Sequence, residues 1–355
     1  MSLTRPFSNS PSGSLVSARN PIRVAIVGAG LMGRWHAHAA EKAGGRVVGV
    51  VDVDIDTASR LSKRFNTAAP FVHIEQMLAQ SNPAVVHICS PKMTHYSIAQ
   101  TLISSGRHLL IEKPMTCTAR ETERLFESAA TSRVYVNPVY QFVFQDGVLK
   151  ARRLVSRLGR LIDISVVVAS AGGAGLFPDQ LDELVADVLP HPLSLIQLFL
   201  PGQLSEICWT TIPPTHGELR MLGEVSGITL SVLVSFNARP TANYLAIRGT
   251  QGTIWVNLFH GYSFIESGEV SRRRKLGGPF IRSFQECASA AGNLARRFIQ
   301  NEPAYPGLQR LVRSFYETIR TNVPPPISRS DSLEIARVRD ELVKTMGRVF
   351  EGQRA

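Results

Sequence analysis

A glycine turn wedged between a strand and a helix constrains this chain more than any other feature. Residues 22–27 read Ile-Arg-Val-Ala-Ile-Val, a short β-branched run of the kind buried in parallel sheets. Gly28-Ala29-Gly30-Leu31-Met32-Gly33 follows at once, and a helical pattern through Trp35, His36, Ala39 and Ala40 comes next. Each glycine has a physical task there. Gly28 allows the tight turn, Gly30 lets the backbone approach a pyrophosphate, and Gly33 lets the helix pack close to the strand. Leu31 and Met32 belong to the same turn, at the helix start whose unpaired N–H groups and dipole favour phosphate.

The context required of such a motif is present. A second strand, 47–51, ends at Asp52, about 20 residues beyond the last glycine. A carboxylate at that point accepts from both ribose hydroxyls of NAD and repels the 2′-phosphate of NADP. Val53 and Asp54 offer no arginine to receive that phosphate, so NAD rather than NADP is expected. The alternation continues with a helix over 56–65, a strand over 85–89, a helix over 94–105 stopped by Gly106, a strand over 108–111, a helix over 118–131 and a strand over 134–137. Strands alternating with helices predict a parallel, doubly wound sheet, in which ligands sit at the carboxyl ends of the strands. Ser90, Pro91, Glu112, Lys113 and Asn137 all fall at such ends and are candidate cofactor contacts.

From residue 161 the pattern changes. Runs at 162–169, 207–211, 228–236, 244–248 and 253–257 are strand-like and several are joined by short turns, which predicts antiparallel pairing. A helix is expected from His191 to Leu200, stopped by Pro201-Gly202. The loop 171–175 reads equally as a lid or a plain linker. Over 280–299 the residues Ile281, Phe284, Cys287, Ala288, Ala291, Leu294, Ala295 and Phe298 share one helical face. A buried or subunit-facing helix is expected, with an interfacial membrane helix as the alternative. A helix over 308–321, a rigid spacer at Pro324-Pro325-Pro326 and a closing helix over 330–350 complete the chain. Ser330 or Asp331 is the expected cap of that last helix, with Glu334 in capping-box range. The predicted fold is thus an α/β Rossmann dinucleotide-binding domain (21–137) plus an α+β domain with a large open, mainly antiparallel sheet (138–355), behind a disordered tail at 1–20. The last helix is expected to pack back on the first domain.

Composition removes other classes. The 355 residues suit two cores. Cys89, Cys117, Cys208 and Cys287 are scattered, which argues against a disulfide framework or a metal site and for the cytoplasm. Net charge is +11, yet the dense basic run Arg272-Arg273-Arg274-Lys275 has no interleaved aromatics, so no nucleic-acid partner is expected and the run reads as a solvated hairpin tip or loop. The apolar segment 193–200 is too short to span a bilayer, so no integral membrane segment is expected.

One tripeptide narrows the chemistry. Glu112-Lys113-Pro114 follows the strand 109–111, downstream of the glycine turn, and farther on Asp187 and His191 stand four residues apart. Together these resemble the Gfo/Idh/MocA oxidoreductases (glucose–fructose oxidoreductase and inositol dehydrogenase relatives). The resemblance implies an NAD-dependent enzyme that interconverts a hydroxyl and a ketone on a sugar, nucleotide sugar or cyclic polyol. His191 would be the general acid/base, Lys113 would polarise the reacting oxygen, and Asp187 would partner one or both. It also implies a contact from His95 near the nicotinamide, and a homodimer or homotetramer built through the second-domain sheet. Two other activities stay open: an NAD-dependent glycoside hydrolase acting by transient oxidation, and a non-catalytic NAD-binding subunit. The chain departs from the family's Asp-x-Gly-x-His-x-x-Asp segment, with Leu189 for the glycine, Ser194 for the last aspartate, and Pro190 and Pro192 flanking the histidine.

Overall fold

The structure, a computed structural model, describes residues 20–212 and 215–353. The tail expected at 1–20 falls, except for Asn20, outside the described residues.

The first domain is a six-stranded parallel sheet in the order β3-β2-β1-β4-β5-β6. Its strands are β1 (Ile22–Val27), β2 (Gly45–Val51), β3 (Ala69–Phe71), β4 (Val85–Ile88), β5 (His108–Ile111) and β6 (Val136–Pro138). The crossovers are α1 (Leu31–Lys42), α2 (Ile55–Ser62), α3 (Ile74–Ser81), α4 (Lys92–Ser104) and α5 (Ala119–Ser132). The strand order reverses between β1 and β4, which opens a crevice at their carboxyl ends. Burial explains the strand sequences: β4 and most of β1 and β2 are covered on both faces, so they are continuous apolar runs rather than alternating ones. Helix α5 starts on a full capping box, in which Thr118 accepts from the Glu121 N–H and Glu121 answers the Thr118 N–H.

The second domain is a seven-stranded sheet in the order β13-β12-β11-β7-β10-β9-β8. Its strands are β7 (Leu161–Ala169), β8 (Thr210–Ile212), β9 (Glu218–Val225), β10 (Ile228–Ser235), β11 (Ala242–Gly249), β12 (Gly252–Asn257) and β13 (Tyr262–Ser267). All neighbours pair antiparallel except β7 and β10, which run parallel at the centre. One face is packed by α6 (Asp146–Leu154), α7 (Pro178–Val188), α8 (Pro190–Phe199) and α11 (Arg329–Gln353), through a core that includes Ile164, Val166, Leu193, Ile196, Leu230, Val232 and Ile335.

The C-terminal helices return to the first domain. On α10 (Leu308–Thr321), Leu311, Phe315 and Tyr316 join the core beneath α1. Helix α11 meets α5, where Asp340 accepts the Ala119 N–H at 2.7 Å. Its first turn is capped by Ser328, whose Oγ accepts the Asp331 N–H, and not by Ser330 or Asp331. Glu334 instead accepts from Ser205 and Gln197. The basic run 272–275 opens α9 (Arg272–Gln300) and is therefore helical, not the hairpin tip or loop expected. Among the described residues no helix is long and apolar enough to cross a membrane.

Candidate active site at the strand ends

The glycine turn has the geometry its sequence implies. Gly28 adopts φ +92°, and a side chain on it would sit 2.6 Å from the Cys89 carbonyl carbon at the end of β4. A Cβ on Gly33 would fall 1.9 Å from the Gly28 carbonyl oxygen, so the helix can approach only without one. Gly30 differs: a Cβ there would meet nothing within 4 Å. The protein itself does not require glycine at that point. The open space over the first turn of α1 is a cradle that fits a dinucleotide pyrophosphate. Leu31 and Met32 form that first turn.

Asp52 ends β2 beside this cradle. Its Oδ2 accepts the Ala29 N–H at 2.7 Å and its Oδ1 accepts the Asp54 N–H at 3.0 Å. Each oxygen keeps a lone pair for a ribose hydroxyl, so Asp52 braces the turn and still suits the sugar.

His95 on α4 is buried, with Nδ1 3.0 Å from the Pro114 carbonyl and Nε2 2.8 Å from the Ser90 carbonyl. It ties the end of β4 to the end of β5. A neutral ring satisfies one of those carbonyls and an imidazolium both. Ser90 Oγ and Thr94 Oγ1 lie 2.8 Å apart at the start of the same helix, and Pro91 is the residue from which that helix springs. Asn137 is fully buried in β6. Its Nδ2 donates to the Pro138 carbonyl and its Oδ1 accepts the Ile327 N–H. That amide fastens the segment before α11 to the sheet.

Glu112 is turned inward. Its Oε1 lies 3.0 Å from His36 Nε2, and its Oε2 accepts the N–H of Lys113 at 3.1 Å. Burial alone would raise its carboxyl, but the His36 hydrogen bond and charge, with Lys113, hold it below the ordinary glutamate value. The chain of contacts goes on: His36 Nδ1 lies 3.0 Å from His87 Nδ1, and His87 Nε2 lies 3.0 Å from the Tyr316 hydroxyl. One proton serves the two facing nitrogens, because two N–H groups would not approach so closely. This buried line from α10 through β4 and α1 fixes the peptide that presents Lys113.

The second domain brings Asp187 and His191 to that peptide. Lys113 Nζ donates to the backbone carbonyl of Asp187 at 3.4 Å, while the Asp187 carboxylate pairs with Lys92 Nζ at 2.8 Å. The aspartate therefore partners Lys113 through its carbonyl and Lys92 through its side chain. Lys92 was not legible as a site residue, because its pairing depends on how α7 packs against the start of α4. His191, in the first turn of α8, is 6% exposed and its Nδ1 is buried without a partner. Its ring stacks on Phe142, with centroids 4.2 Å apart and planes 14° apart. Burial, and then the Lys113 ammonium, push its protonation well below the ordinary histidine range. Phe142 lies in the short 3-10 segment Gln141–Phe144, where no sequence signal marks it.

Comparisons with known proteins bear on the nucleotide-binding domain and on the fold. Residues 22–140 match the Gfo/Idh/MocA family model, described as an oxidoreductase family with an NAD-binding Rossmann fold. The chain is 29% identical over 160 residues to a UDP-N-acetylglucosamine 3-dehydrogenase of Acidithiobacillus ferrooxidans, across 41% of this chain and 50% of that protein. Thus it spans about half the length of that curated relative, and a third of another, an uncharacterised oxidoreductase of Synechocystis. The fold matches the WlbA dehydrogenase of Bordetella pertussis, solved with NADH and UDP-GlcNAcA, at a TM-score of 0.72 and 16% identity, covering 94% of this chain and 97% of that one. It also matches KijD10, a 3-ketoreductase of Actinomadura kijaniata solved with NADP, at 0.69 and 19%, covering 90% and 96%. Residues 22–140 thus carry the nucleotide-binding domain described by the Gfo/Idh/MocA oxidoreductase model, and nearly the whole chain shares the two-domain fold of the WlbA dehydrogenase and KijD10.

Proposed function

We propose that this protein is a nicotinamide-dependent dehydrogenase that interconverts a ring hydroxyl and a ketone on a sugar, nucleotide sugar or cyclic polyol. The observation that carries the reading is the meeting of Lys113, Asp187 and His191 at the strand ends beside an open phosphate cradle. When bound, the dinucleotide supplies the hydride acceptor or donor. Gly30 and the first turn of α1 would hold its pyrophosphate, and Asp52 its ribose. The Asp52 carboxylate favours NAD over NADP, since it would repel a 2′-phosphate.

The chain's own residues then have separable tasks. The Lys113 ammonium lies at the cleft and stabilises negative charge as it develops on the substrate oxygen. His191, held neutral, takes the hydroxyl proton during oxidation and returns it during reduction. Phe142 limits the ring to one plane. The Lys92–Asp187 ion pair joins the two domains at the point where they must align. The proposed compartment is the cytoplasm, a reading that rests on the scattered spacing of Cys89, Cys117, Cys208 and Cys287 in the sequence.

The deciding experiment incubates the purified protein with NAD, and separately NADP, across UDP-sugars, free sugars and inositols while following absorbance of the reduced cofactor. A rise with one class and NAD is expected. Confirmed NAD binding with no reduction across the panel, and no oxidation of NADH by the matching keto compounds, would sink the proposal.

A further inference from the structure

Helix α9 is mounted with its polar side inward. Tyr262 donates to Glu286 at 3.0 Å, Asn293 donates to the His260 carbonyl at 2.8 Å, and Arg296 pairs with Asp146 at 2.9 Å. Arg297 reaches the carbonyls of His260, Glu302 and Pro303, and the Arg282 guanidinium lies 4.8 Å over the Trp255 ring. The opposite side carries the large apolar residues and meets solvent. Phe280 is 79% exposed, Phe284 74%, Leu294 69% and Phe298 86%. An amphipathic helix on a globular domain is normally mounted the other way round.

The exposed residues are ordered. Phe280, Phe284, Cys287, Ala291, Leu294 and Phe298 are spaced by alternating steps of four and three, the repeat that seats one helix against another. We propose that this face is an interface with a second copy of the same chain, formed by two α9 helices crossing antiparallel about a two-fold axis midway between Cys287 and Ala291. This contact is separate from the open-sheet assembly that the family resemblance implies, and it does not depend on the catalytic reading.

Three observations select a second copy. The seam holds no charged residue, so identical faces meet without like-charge cost. Small residues, Cys287, Ala288 and Ala291, occupy its middle while Phe280 and Phe284 on one side balance Leu294 and Phe298 on the other. An antiparallel pair therefore sets small against small and large against large. A parallel pair would instead juxtapose the two basic runs 272–275. The area also suffices. At about 200 Å² for each phenylalanine, the three exposed rings alone supply more than half of the ~800 Å² per partner of a standard stable interface. An anionic bilayer fits less well, because Arg282, Arg296 and Arg297 are drawn back onto the domain by Glu266, Asp146 and backbone carbonyls, away from the apolar face.

The test is the solution mass of the full chain at micromolar concentration, by light scattering and sedimentation. The wild-type protein should be at least a dimer of the 38.9 kDa chain. Phe284→Glu with Leu294→Glu should halve that mass while circular dichroism stays unchanged, since both side chains are exposed in the single chain. A short thiol-to-thiol cross-linker should also join wild-type copies covalently, a link lost in Cys287→Ser and kept in Cys208→Ser. A wild-type protein that sediments as a monomer, free or bound to vesicles of anionic phospholipid, would overturn the proposal. So would an undiminished mass in the double variant.

Discussion

At the scale of single residues, His191 is defined by what surrounds it rather than by a hydrogen-bonded orienter. Burial and the nearby Lys113 charge disfavour its protonated form, and Phe142 stacks flat on its ring. A base held neutral this way remains ready at pH values where an ordinary histidine would already be protonated, below about 6.5. Turnover in the oxidative direction should therefore stay level down to about pH 6 and not fall with an ordinary histidine midpoint. His191→Ala should lower kcat by about 10²–10⁴-fold and leave NAD affinity within twofold, because the ring lies outside the glycine turn and Asp52. Steady-state rates beside calorimetric NAD titration would check both statements. A variant with near-normal turnover would remove His191 from the proton path.

Elements decide which glycines serve the fold and which serve a ligand. Gly33→Ala forces a methyl against the Gly28 carbonyl, where neither α1 nor the turn can yield without unpicking the β1–α1 packing. It should lower the unfolding free energy by about 1–3 kcal/mol or more. Gly30→Ala meets open space, so its effect on stability should stay within about 0.5 kcal/mol, while dinucleotide affinity drops at least tenfold. Thermal melts paired with NAD titrations separate the two. Unchanged NAD binding in Gly30→Ala would show that the phosphates lie elsewhere. The same elements show what was legible from the chain alone. The first domain was readable because buried parallel strands are short apolar runs between helical stretches. β3 and α3 escaped, since a three-residue edge strand containing Pro70 carries almost no pattern. In the second domain β9 and β13 were missed, as were α6 and α7, the latter because its Asp179, Asp182, Glu183 and Asp187 dilute its apolar stripe. Lys113, Asp187 and His191 were found through family resemblance. Lys92 and Phe142 were not, because only tertiary packing gives them a role: α4 against α7 for Lys92, and the 3-10 segment 141–144 against α8 for Phe142.

The whole molecule carries a pH dependence that arises from where its histidines are buried. His87 is held well below the ordinary histidine value by burial and then by His36, His191 by burial and then by Lys113, and burial sets His108 at about 4. His108 also accepts the Tyr135 N–H on Nδ1, which the protonated ring could not do. In the unfolded chain all three return to about 6.5. Below that value the unfolded state takes up protons that the folded state refuses, so stability falls as pH falls. The loss begins near pH 6.5 and for His108 continues to about 4. Each such group contributes a slope of up to ~1.4 kcal/mol per pH unit. The depressed Glu112 carboxylate acts in the same direction at lower pH, while Glu302, raised chiefly by burial, acts against it there. Urea unfolding at a series of pH values from about 7.5 to 5 should therefore show a stability maximum on the neutral side and a steady decline below it. His108→Gln, whose amide oxygen can still accept the Tyr135 N–H, should make that decline shallower by one histidine's share without changing the behaviour above pH 7. A free energy of unfolding that stays constant between pH 7 and 5 would mean that these rings take up protons as readily in the folded protein as in the unfolded one, and that the packing around His87, His108 and His191 is looser than the structure shows.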